Sequence, residues 1–92
     1  MLTRDDAAGA YTLDIEDGAQ ARANFRKRGD VIAITHTEVP RRLEGRGHGG
    51  ALMKAILEDA RARGEKVAPL CSFARAYMRG HPETQDLLAA QD

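Results

Sequence analysis

Glu44-Gly45-Arg46-Gly47-His48-Gly49-Gly50 places four glycines within six residues, directly before Ala51 to Arg63, where apolar residues recur at Leu52, Met53, Ile56, Leu57 and Ala60. That spacing predicts an amphipathic helix. A helix opened by glycines leaves the amides of its first turn free, and the aligned peptide dipoles add partial positive charge, so the junction predicts an anion site. Glycine suits it because some positions need positive φ and because a side chain would hold an anion off the backbone. Arg46 adds a cation at the rim, and Gly64 stands where a C-terminal cap belongs. The competing reading of the same glycines is a flexible loop with no ligand.

Upstream, the apolar pattern has period two. Tyr11 to Glu16 alternates Tyr11, Leu13 and Ile15 against Thr12, Asp14 and Glu16, which predicts a half-buried strand. Asp17-Gly18 is a hairpin signal, and Ala19, Ala21, Ala23 and Phe25 then share one face of a second, antiparallel strand. After the turn at Arg28-Gly29-Asp30, the β-branched run Val31 to Thr37 suits a well-covered third strand. His36, alternating with Ile32 and Ile34, reads as a sheet residue on their face. The first forty residues are thus expected to be a three-stranded meander ended by Pro40.

Downstream of the helix, Val67 to Cys71 predicts a fourth strand, parallel to the third because a helix connects them. Pro69 lacks an amide for the ladder, so this strand belongs at an edge or marks where pairing stops, leaving a gap near Cys71. Phe73 to Arg79 reads as a short helix, and Pro82 to Ala90 as a last turn or two.

Ninety-two residues make one domain, 1–92, of α+β class. With 14 basic and 14 acidic residues the net charge is zero, so no long-range field draws the chain to nucleic acid or an anionic membrane. No apolar stretch approaches the roughly 20 residues that span a bilayer, and a cytoplasmic location is expected. The single cysteine, Cys71, excludes an internal disulfide, and no two histidines lie at metal-ligand spacing, so no metal is expected.

The glycines satisfy G-x-G-x-x-G in the letter, yet a dinucleotide fingerprint follows a strand at once within a βαβ sheet, whereas these follow a seven-residue link and a meander. A phosphate loop of the nucleotide-triphosphate type fails because no Gly-Lys-Ser/Thr is present.

A meander, a glycine-opened helix and a further strand together resemble the centre of the GNAT superfamily of acyl-CoA-dependent N-acetyltransferases. Their phosphate signature, Gln/Arg-x-x-Gly-x-Gly/Ala, is met by Glu44-Gly45-Arg46-Gly47-His48-Gly49 except at Glu44. A carboxylate there must point outward or be offset by Arg46. The short length, His36-Thr37-Glu38-Val39-Pro40, Pro69-Leu70-Cys71-Ser72-Phe73, Tyr77 and His81-Pro82 look like the small YjdJ-type branch, with the resemblance covering about residues 10 to 88. It implies a minimal GNAT-like fold with a splayed fourth strand.

It also implies acetyl-CoA as co-substrate, held by Gly45, Arg46, Gly47, His48, Gly49 and Gly50 and by the backbone of Thr37, Glu38 and Val39. Acetyl transfer to an amine needs a proton acceptor, donors for the developing oxyanion and an acid or solvent for the thiolate. Glu38 is the carboxylate placed to serve as base, or else a solvated loop residue. Cys71, before a helix start, is a candidate nucleophile or a packing residue, and Tyr77 is a candidate acid or a packing residue. The expected function is acetyl transfer from acetyl-CoA to a primary amine by direct attack, in a monomer or homodimer. The alternative is a CoA-binding module with little or no turnover. A nucleic-acid contact through Arg41, Arg42 and Arg46 finds poor support in the zero net charge and four aromatics.

Overall fold

The period-two segments form one sheet whose five strands lie in chain order. The computed structural model describes residues 1–90. Strands β1 (Leu2–Asp5), β2 (Ala10–Asp14), β3 (Gln20–Arg28) and β4 (Val31–Glu38) are antiparallel neighbours, and β5 (Lys66–Pro69) joins parallel to β4. The fold is therefore α+β, as expected, with a meander one strand longer than periodicity indicates. Leu-Thr-Arg-Asp carries one apolar residue, too few for an alternation to register, and a polar contact holds β1 instead. The Arg4 guanidinium, its side chain only 4% exposed, grips the Glu65 carboxylate with two hydrogen bonds of 2.7 and 3.0 Å.

Helix α1 (His48–Arg63) connects β4 to β5, and Gly64 caps it with φ of 72°. Its Leu52, Met53, Ile56, Leu57 and Ala60 pack on Tyr11, Ala21, Ala23, Phe25, Ile32 and Ile34 of the sheet. Helix α2 (Ser72–Arg79) adds Ala74 and Met78 to the same core. Both helices lie on one side; on the opposite face Thr12, Gln20, Arg22, Asn24, Arg26 and Ala33 are half-buried or exposed.

Several boundaries differ from expectation: β2 stops at Asp14 rather than Glu16, and two more shape the region between β4 and α1. Helix α1 starts at His48 rather than Ala51, since the Ala51 amide already bonds the Gly47 carbonyl at 3.0 Å, and the glycines at 49 and 50 lie beneath side chains of α2. Strand β5 occupies Lys66–Pro69 rather than Val67 to Cys71. Past Pro69 the amides of Leu70 and Cys71 both donate to the carbonyl of Ile34, at 2.9 and 3.1 Å, and the ladder stops. Pro69 thus closes the pairing as its missing amide predicts, while β4 runs on unpaired on that side from Thr35 to Glu38. Among the described residues the last element is a 3-10 stretch, Pro82–Leu87, whose following residues Leu88 and Ala89 bridge to Val67 along the outer side of β5.

Candidate cofactor cleft

Where β4 parts from β5, a cleft of about 490 Å³ opens between the strand end and the start of α1. Thr37, Glu38 and Val39 form one wall and Gly45, Gly47, His48, Gly49 and Gly50 the other. The glycine segment is held open by its backbone. Gly45 and Gly47 have φ of 80° and 83°, and a Cβ at either would meet nothing within 4 Å, so space stands where side chains would project. Gly47 is the N-cap of α1 and offers no side chain to the first turn. As a result none of the six consecutive amides from Gly45 to Gly50 donates a hydrogen bond among the described residues. Backbone donors on that scale, at the positive end of a sixteen-residue helix, are what an anion site requires.

Gly49 and Gly50 have a further role. An added Cβ at Gly49 would lie 2.8 Å from the Phe73 ring, and one at Gly50 would lie 3.7 Å from the Tyr77 ring. These rings, four residues apart on α2, rest on the glycine surface of α1. Phe73 itself lines the cleft.

The two basic side chains of the segment, Arg46 and His48, are already engaged. Glu16, in the bend between β2 and β3, binds Arg46 through Oε1 and His48 Nε2 through Oε2, the latter at 2.6 Å. These bonds, that from His48 foremost, hold the Glu16 carboxyl below its ordinary range. Arg46 therefore faces Glu16 rather than offsetting Glu44, which is exposed and also lines the cleft. Sequence reasoning does not find Glu16: as the last residue of an alternating run it reads as a solvent-facing strand position. Strand β2 in fact ends at Asp14, and Glu16 opens the tight turn Glu16–Gly18, within which Asp17 has φ of 57°.

On the opposite wall a bulge sets the phase of β4. Asn24 pairs with His36 and Phe25 with Ile34, so Thr35 is an extra residue, its hydroxyl 3.3 Å from the Asn24 carbonyl. The bulge reverses the alternation beyond it. His36 therefore leaves the face of Ile32 and Ile34, contrary to the sequence reading, and stands exposed 3.9 Å from Glu38. Thr37 takes the inner face, with its hydroxyl 4.0 Å from Cys71 Sγ. Cys71 is the N-cap of α2, and its sulfur accepts from the Ala74 amide at 3.4 Å.

Tyr77 lies elsewhere. Its ring stacks on His81 at 3.8 Å and lines a separate groove between α1, α2 and the C-terminal 3-10 stretch. His81 Nδ1 lies 2.6 Å from the Tyr77 carbonyl oxygen, so both residues of the stack are locally tied. Burial, with the charges of Glu83 and Glu58, raises the Tyr77 hydroxyl pKa. The structure thus brings Thr37, Glu38, Val39, the glycine segment and Phe73 to one cleft and leaves Tyr77 and His81 outside it. Among the described residues no group of three or more His, Cys, Asp and Glu side chains could hold a metal ion, and no helix is long and apolar enough to cross a membrane.

Comparison with known proteins bears on this geometry. Residues 10–87 match the model of a family described as GCN5-related N-acetyl-transferase. The NMR solution structure of a GCN5-like protein from Staphylococcus aureus superposes with a TM-score of 0.73 at 29% identity, covering 100% of this chain and 90% of that one. No curated protein matches the chain significantly.

Proposed function

Because the chain belongs to the GCN5-related N-acetyltransferase family, we propose that it binds acetyl-CoA in the cleft at the start of α1 and transfers the acetyl group to a primary amine. The run of free amides from Gly45 to Gly50 carries the reading. A pyrophosphate offers several anionic oxygens and no donors, the complement of such a cradle. The open space at Gly45 and Gly47 fits that use. The bound co-substrate supplies an activated thioester: the amine nitrogen bonds to its carbonyl carbon, the C–S bond breaks, and CoA leaves as thiolate to be protonated by solvent.

The chain's own residues receive and position the reactants. Backbone groups at Thr37 to Val39, on the strand end that pairs with nothing toward β5, are placed to orient the acyl portion. Glu38 borders this wall and is taken as the acceptor of the amine proton. The position of Tyr77 in another groove supports a packing role for it, so Tyr77→Phe should keep activity within a few-fold. Cys71, capping α2 behind Thr37, is read as a structural thiol.

Two measurements test this. CoA should stabilise the protein against heat, and Gly47→Asp should remove that stabilisation by filling the cradle with a like charge. Release of CoA from acetyl-CoA in the presence of primary amines should accompany amine acetylation seen by mass. Stabilisation without turnover over a broad amine panel would favour a CoA-binding module, and normal CoA binding by the Gly47 variant would refute the site.

A further inference from the structure

Glu38 belongs to two clefts. Besides the cleft at α1, it lines a second one of about 360 Å³ on the uncovered face of the sheet, where Thr12, Gln20 and Arg22 meet Pro40 and Arg41. The register explains the convergence: Thr12 lies across from Arg22, and Arg22 across from Glu38, so three strands present one row of side chains. Arg41 comes in from the link after Pro40.

The charge of this second cleft is unbalanced. Neither Arg22 nor Arg41 makes an ion pair or side-chain hydrogen bond among the described residues, and Glu38 is within ion-pair distance only of His36. By contrast, the other cations near the loop are matched, Arg46 with Glu16 and Arg42 with Asp17. Two guanidinium groups without ion-pair partners, beside the Thr12 hydroxyl and the Gln20 amide, one of whose N–H groups is already given to Asp14 at 3.0 Å, form a site for an anion, and arginine prefers the planar two-oxygen face of a carboxylate. The carboxylate of Glu38 stands between that site and the thioester cleft.

We infer that the second cleft is the acceptor site and that it selects amines bearing a carboxylate, such as amino acids. The inference rests on the acetyl-transfer reading above. The carboxylate docks on Arg22 and Arg41, and the amine extends past Glu38 toward the first cleft. There Glu38 takes one proton from the ammonium, the freed nitrogen bonds to the acetyl carbon as the C–S bond breaks, and the second N–H proton passes through solvent to the departing thiolate. The products are an N-acetylated acid and CoA, and no other reactant is needed.

The test compares glycine, β-alanine and γ-aminobutyrate with their carboxamides, at equal concentrations of unprotonated amine and saturating acetyl-CoA. At least one acid should exceed its amide on the order of ten-fold in kcat/KM, as expected for a charge-assisted contact. Arg22→Gln and Arg41→Gln should each erase most of that ratio, with CoA affinity unchanged, while Arg26→Gln, further along the same face, keeps it. In parallel, γ-aminobutyrate titrated into the CoA complex should shift the amide resonances of Thr12, Gln20 and Arg22, and the shifts should vanish in Arg22→Gln. Amides acetylated as well as acids would overturn the acceptor assignment and leave acetyl transfer standing. Failure of every amine would count against acetyl transfer, while the titration would still decide the anion site: no localised shift refutes it.

Discussion

Glu38 is an exposed carboxylate at the end of β4, in the wall of the cleft. Its position was legible in the sequence because a β-branched run stops beside a glycine-opened helix. If it is the proton acceptor, Glu38→Gln should lower kcat/KM on the order of 10²-fold at neutral pH and leave CoA affinity within a few-fold. An unchanged rate and pH profile would pass the role to water. Cys71 was legible only as a choice between nucleophile and packing. With its sulfur accepting from the Ala74 amide, Cys71→Ser should retain at least about a tenth of activity, a loss of about 1.4 kcal/mol or less. Acetyl-CoA alone should leave no acetyl group on the protein by intact mass. A thioester on Cys71 that amine removes at the catalytic rate would establish a relay. His36 was misread for a physical reason: a period-two argument assumes an unbroken strand, and one extra residue at Thr35 inverts everything beyond it.

Elements were recovered where their apolar period was long and missed where polar contacts define them. Strand β1 is the plainest miss. Its Arg4 reaches Glu65, sixty-one residues away, and lies over the Tyr11 and Phe25 rings at 5.8 and 5.4 Å. No local pattern encodes such a partner. The pair with Glu65 is nearly enclosed, so Arg4→Ala leaves a buried carboxylate unmatched and should cost about 3 kcal/mol, measured by urea unfolding. Removing both partners together should cost less than the sum of the single changes. The clamp of Glu16 on Arg46 and His48 joins the β2–β3 bend to the start of α1 and gives this junction a pH dependence. Glu16 has its folded pKa lowered from an ordinary value of 4.5, so its contribution is complete above that value and is lost as pH falls through the lower, folded one. The stability difference between wild type and Glu16→Gln should therefore shrink as the pH falls into the acid range where Glu16 is protonated in the folded protein. A difference that instead grows as pH falls would mean the clamp has the wrong sign.

At the scale of the molecule, the sequence conveyed the class, three of the meander's four strands, the parallel strand after the crossover helix and the glycine opening of α1, since each follows from period, turn residues or glycine placement. The second cleft was not legible, because it arises only when Thr12, Arg22 and Glu38 come into register across three strands. One consequence concerns binding and stability together. A ligand at one hundred times its dissociation constant stabilises a protein by about 2.7 kcal/mol, and about 1 kcal/mol moves the Tm of a domain this small by roughly 4–8 °C. Saturating CoA should thus raise Tm by roughly 10–20 °C, and a shift below about 2 °C at such a concentration would deny the cleft its cofactor.

The chain order of the sheet also bears on how the molecule assembles. Strands β1 to β4 close through neighbouring hairpins, each a short loop whose closure costs little entropy, whereas β5 can dock only after α1 has spanned the gap from β4. The hairpins around β3 should therefore form the folding nucleus, and the crossover should complete afterward. In stopped-flow experiments Ile32→Val, in the β3–β4 pair, should mainly slow refolding, while Val67→Ala, in β5, should mainly hasten unfolding. If Val67→Ala slows refolding as much as Ile32→Val does, the crossover is already formed at the barrier. Under the expected order, the cleft between the ends of β4 and α1 is created by the last folding event, and a bound CoA that holds those ends together should prolong the lifetime of the native state more than it accelerates the approach to it.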